Sequence, residues 1–177
     1  TLYVGGHFAK IGTVDRVGLA ALNSATGAVD AGFVNDLAVG IGRGSSLFVQ
    51  TLKLTHDNTK LLAVHTGQRV AGQDRIGAAL IDTTTKALLP WKTDLWHNNL
   101  PAIGGVIQVQ AADTPPDDSF FAVTNTGGDR PPLADTAIAF PVAGGDHVEP
   151  LWVHRGFDST YSVAITEQAV FIGGHFL

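Results

Sequence analysis

The chain has 177 residues, 45% of them hydrophobic and only 15% charged, with 21 glycines and no cysteine. Such a composition suits a packed, turn-rich domain and excludes a disordered tail, a heptad-built coiled coil, disulfides, thiolate metal sites and cysteine nucleophiles. A net charge of -5 offers no basic field for nucleic acid or an anionic membrane, and no apolar run reaches the ~20 residues of a bilayer span, so neither nucleic acid binding nor membrane insertion is expected. With no Met and no charged-then-apolar leader, the sequence reads as a mature chain or a segment of a longer one.

Along the chain, apolar residues fall in short runs bounded by turn formers, the period of strands and not of helices. The first run, Leu2 to Val4, leads into Gly5-Gly6-His7-Phe8, and a second ends at Leu22 before the turn Asn23-Ser24-Ala25-Thr26-Gly27. After a connection over 35–46, Val49 to Thr55 alternates, His56 to Thr59 turns, and Leu61 to Val64 is apolar on both faces, so both faces must be covered. Arg75 to Ile81 follows, then the turn 82–86, then an edge strand over Ala87 to Pro90, where a proline costs no ladder bond. Beyond a second connection over 96–105, hairpins are expected from Val106–Ala111 with Phe120–Val123 and from Tyr161–Ile165 with Val170–Ile172.

These runs repeat. Leu2 to Phe8 recurs as Val170 to Phe176, with Gly-Gly-His-Phe identical at an offset of 168 residues. Weaker copies begin at Leu61 and Phe120, giving starts near 2, 61, 120 and 170 with steps of 59, 59 and 50. Asp15-Arg16-Val17-Gly18 matches Asp74-Arg75-Ile76-Gly77 at the 59-residue step, and Asp129-Arg130 offers a third Asp-Arg pair. The fold class read from this is all-β: four-stranded antiparallel β-propeller blades over residues 1–177, about three blades of a larger ring, with no separate second domain.

The strings Leu-Tyr-Val-Gly-Gly-His-Phe, Asp-Arg-Val-Gly-Leu-Ala-Ala-Leu-Asn and Ala-Thr-Gly-Ala-Val, with Leu89-Pro90-Trp91, resemble the delta-60 repeat family of β-propellers. A more distant similarity reaches the propeller region of fungal cortical marker proteins. The resemblance spans the chain, is strongest in the first unit and at the final Gly-Gly-His-Phe, and weakest in the third unit. It implies a seven-bladed propeller in a secreted or cell-surface protein, with no catalytic residues carried by the repeat.

Several positions invite a role. Gly5, Gly6, Gly173 and Gly174 leave a strand for a loop and read as backbone requirements. Arg16 and Arg75, at matching places, read as guanidinium ties to loop carbonyls. His7, His65 and His175 read as equivalent strand-end positions on separate units, which could meet at a metal only near a central channel; neither metal nor cofactor is expected. Asp113, Asp117 and Asp118 share a turn with Pro115 and Pro116 that reads as solvated, with weak cation binding as the alternative. No Gly-x-Ser-x-Gly elbow or phosphate loop is present. Gly40 to Ser46 comes nearest to an anion loop and makes Arg43 a ligand-contact candidate. Trp91, Trp96 and Trp152 suit packing between blades, and Trp96, beside His97 and Asn98 in a connecting loop, is the best placed for ligand contact.

The function read from the sequence is a non-catalytic binding or interaction scaffold for a protein or glycan partner, needing the remaining blades of the same protein for ring closure. One alternative is part of an enzyme, such as a glycan hydrolase, whose catalytic residues lie outside these residues. A second is a structural spacer.

Overall fold

The computed structural model describes residues 1–41, 46–98, 108–127 and 133–175, with backbone alone at 97, 98 and 108. The short apolar runs fold as β1 (Leu2–Gly5), β2 (Lys10–Ile11), β3 (Val14–Asp15), β4 (Leu19–Leu22), β5 (Leu37–Gly40), β6 (Val49–Leu54), β7 (Lys60–His65), β8 (Gly67–Val70), β9 (Gln73–Asp74) and β10 (Ala78–Asp82). A five-residue helix α1 (Asp94–Asn98) precedes β11 (Gln108–Asp113), β12 (Phe120–Thr126), β13 (Thr136–Pro141), β14 (Trp152–Arg155), β15 (Thr160–Ile165) and β16 (Val170–Gly174). The protein is therefore all-β, built from small antiparallel sheets, and among the described residues no sheet closes on itself.

Four of these sheets follow one another: β1–β4, β6–β7–β10, β11–β12–β13–β14 and β15–β16. Facing strands pack in sequence, with β6 against β1 on one side and β11 on the other, and β11 against β15. Between the first and second sheets lies a core of Leu19, Ala21, Phe33, Leu61, Ala63, Ala79 and Ile81. Between the second and third lies one of Leu62, Val64, Leu80, Trp91, Trp96, Phe121, Ile138 and Phe140. Alternate residues of β7 thus enter different cores, and each buried leucine contributes about 1.5–3 kcal/mol.

Three expectations are corrected. Among the described residues only the third sheet carries a full fourth strand. In the second, Ala87 to Pro90 shrinks to the single bridge Ile81↔Leu88, after which the chain turns inward to bury Trp91. The connection over 35–46 contains β5, which pairs with β8 and so spans from one unit to the loop of the next. The connection over 96–105 begins inside α1, and the strand expected to end at Ala111 runs on to Asp113, being described from Gln108.

Pairing fixes how the units correspond. Val49↔His65 and Val109↔Asn125 both sit at a bulge, and Asn58 and Asp118 both take positive φ in the following turns, so the third unit corresponds to the second at a step of 60 through this hairpin. Phe121 therefore holds the place of Leu61, one residue beyond the expected start at Phe120. In the first unit Gly6 donates its N–H to Gly18 O (3.0 Å) as His65 donates to Gly77 O (2.9 Å). His65 thus stands in the place of Gly6, and Thr66, not His65, in that of His7.

Candidate functional site

The loops after β1, β7 and β16 gather most of the residues singled out by sequence. Gly5 lacks a side chain because Val49 occupies the space: an added Cβ would lie 2.6 Å from Val49 Cγ1. Gly6 O accepts the Val49 N–H at 3.2 Å, stitching the first loop to the second sheet. Gly174 is pressed against the backbone at Ser159 and Thr160 and admits no side chain without a backbone shift, whereas Gly173 faces the Ser162 hydroxyl, which would have to rotate away.

Arg16 and Arg75 are both buried and bond carbonyls, not carboxylates. Arg16 Nη1 donates to Asp15 O (2.7 Å) and Nη2 to Ala31 O (3.3 Å), whereas Arg75 Nη1 donates to Asp74 O (2.6 Å) and Nη2 to Leu89 O (2.8 Å). The neighbouring carboxylates turn outward, Asp15 to Lys10 and Asp74 to Arg69. Each guanidinium ties the loop before the third strand to the segment after the outer turn. Burial draws the Arg75 pKa down, with Asp146 and Asp74 opposing it. In the third unit this place falls at Ala134, and Asp129-Arg130 lies outside the described residues.

The three histidines occupy different environments. His65 is buried, and its Nδ1 accepts the Gly67 N–H at 3.1 Å, which puts the ring proton on Nε2. Burial, partly opposed by that hydrogen bond, lowers its pKa to about 4. His7 is exposed and lines a shallow cavity of about 490 Å³ with Phe8, Ala9, Val17 and Leu47. His175 is exposed, edge-on to Tyr161 at 5.3 Å between ring centroids, with Nδ1 3.8 Å from Asp158. No group of three His, Asp or Glu able to hold a metal is found among the described residues.

Trp96, expected in an open connecting loop, is a buried core side chain. Its indole is 1% exposed, packed 5.1 Å from Phe140 and lying against Gly77, whose positive φ and missing side chain leave it room. Leu37 covers Gly18 in the same manner in the first unit. α1 turns this side chain inward, so the aromatic packs between sheets while the connection runs on. Trp91 joins the same cluster, 5.1 Å from Phe121, with Nε1 donating to Pro141 O at 3.0 Å. Arg43 and the side chains of His97 and Asn98 lie outside the described residues.

At the opposite ends of the strands, the hairpin turns are held by carboxylates whose roles single-residue reading misses. Asp57 accepts from Thr59 N (2.8 Å) and Asp117 from Ser119 N (3.1 Å), each closing its own turn. Those bonds, helped by Thr55 in one case and the Ser119 hydroxyl in the other, hold Asp57 at about 2 and Asp117 below the ordinary carboxylate range. Asp118 reaches across to the preceding unit, accepting from His56 N (2.8 Å) and Asp57 N (3.0 Å). Asp113 pairs with Lys53 at 2.6 Å and accepts from Ile165 N at 2.7 Å, bridging three sheets. The shared spacing of Asp57-Asn58-Thr59 and Asp117-Asp118-Ser119 is the sequence signal for these roles. His56 Nδ1 faces both Asp118 (3.1 Å) and Thr114 Oγ1 (3.4 Å), so one ring nitrogen meets both groups and no acid–imidazole–hydroxyl relay is built through the ring.

What the arrangement provides is a set of tied loops and two rims, one carrying the His7 and Phe8 cavity. A comparison of the chain with family models, curated proteins and solved structures finds no match.

Proposed function

We propose that the chain is a non-catalytic binding or interaction scaffold, a segment of a delta-60-type β-propeller in a larger secreted or cell-surface protein. The observation that carries this reading is the contrast between its end faces and its middle. Leu2 is 52% exposed, yet Leu61, in the corresponding place, is 1% exposed beneath the first sheet. Phe171 is 59% exposed, yet Leu62 in its corresponding place is 1% exposed beneath the third. Both end sheets thus present apolar positions that further units of the same kind cover. Within such a scaffold the buried arginines and glycines shape the loops, while the rim, with His7 and Phe8, meets a protein or glycan partner.

The test is sedimentation of the isolated chain against L2E and F171E. The reading expects concentration-dependent association of the parent chain through its bare faces and weaker association of each variant. A monodisperse parent with a cooperative melt overturns it.

A further inference from the structure

Between the second and third sheets, the hairpin turns are locked together by the carboxylate of Asp118, which accepts two backbone N–H groups from the neighbouring turn. The next junction, between the third sheet and β15–β16, lacks that lock for two reasons. Six residues separate the paired Leu54 and Leu61, but only four separate the paired Ile165 and Val170, so the last turn is too short to reach back. Its short form is closed on itself, with Thr166 N donating to Ala169 O and Ala169 N to Thr166 Oγ1. On the facing side, Pro116 stands where His56 supplies an N–H, and proline has none to give.

The unlocked junction opens a cavity of about 640 Å³, in the size range of small-ligand sites. Pro115, Phe120, Ile165 and Val170 give it apolar walls, and Asp117 and Glu167 stand in its lining. Asp117 is held anionic by its bonds from Ser119, and Glu167 is exposed and accepts from Gln168 Nε2 at 3.3 Å. Neither carboxylate takes part in an ion pair among the described residues, whereas Asp113 close by is paired with Lys53 and Asp118 lies against the His56 ring.

We propose that this cavity binds an organic cation on an apolar stem, a guanidinium or ammonium group whose stem lies on Phe120 and Val170 while the charge meets Asp117 and Glu167. The site lies within the third and fourth sheets and does not depend on further units completing a ring.

Ligand-observed saturation-transfer NMR on the 177-residue chain tests this, since the method tolerates self-association. The probes are N-acetyl-arginine methylamide, n-butylguanidinium and, as a neutral isostere, n-butylurea. Both cations are expected to bind about tenfold more tightly than butylurea, and E167Q to weaken them several-fold with an unchanged thermal midpoint, because Glu167 is exposed and supports no other element. Tighter binding of the arginine probe than of butylguanidinium assigns the site to a basic peptide, and equal binding to a small organic cation. Equal binding of butylurea, or E167Q binding like the parent, overturns the proposal.

Discussion

His65 and Gly6 hold the same place in consecutive sheets, each donating its backbone N–H to the carbonyl of a positive-φ glycine, Gly77 or Gly18. Where the first unit has no side chain, the second buries an imidazole that accepts from Gly67 N and leaves Nε2 without a partner among the described residues. The folded protein keeps this ring neutral to about pH 4, whereas the unfolded chain protonates it near 6.5. In that window the unfolded state binds the extra proton, so stability falls as pH drops from 6.5 toward 4, by about 3 kcal/mol in all. Denaturant titrations across the window are expected to show this slope in the parent and its loss in H65N, whose amide oxygen can still accept from Gly67. An equal slope in both contradicts the assignment.

Trp96 over Gly77 and Leu37 over Gly18 are one solution in two sizes. W96A is expected to cost about 3–5 kcal/mol and W96L clearly less, because leucine already fills this place in the first unit. Thermal melts of the two variants measure the difference. G77A combines a strained positive φ with a contact 3.3 Å from the indole, and is expected to destabilise by more than 1 kcal/mol, in the direction set by αL strain.

Arg75 binds two carbonyls through separate nitrogens of one planar group. Lysine has a single charged nitrogen and cannot span both, so R75K is expected to lose about 1.5–3 kcal/mol. An R75K protein as stable as the parent in urea shows that the fork is dispensable.

Asp118 links two turns, and D118A is expected to cost about 1 kcal/mol while raising amide exchange at His56 and Asp57. D118N keeps one acceptor and is expected to fall between. Hydrogen exchange confined to other amides counts against the lock.

Much of the fold was legible because it is local. The double-faced run Leu61 to Val64 announced a strand covered on both sides, and the Asx turns after Leu22 and Ile81 marked where chains reverse. The register was not, since letter matching paired His65 with His7 although backbone bonds pair it with Gly6. Nor was β5, whose strand exists only through β8 some thirty residues later. The burial of Trp96 was not legible either, because a tryptophan beside polar residues in a connection gives no sign of its direction, and only α1 and the glycine hollow under it reveal the inward turn. The carboxylate locks were hidden because each is a contact between units about sixty residues apart.

The exposed Leu2 and Phe171 lie on opposite faces of the series and correspond to adjacent residues, Leu61 and Leu62, of a single strand. They are therefore not copies of one patch but the two halves of one interface, separated by the width of the chain. A surface of that kind has direction. Copies meeting through it join tail to head, and such contacts propagate along a line or ring and do not cap themselves in a twofold pair.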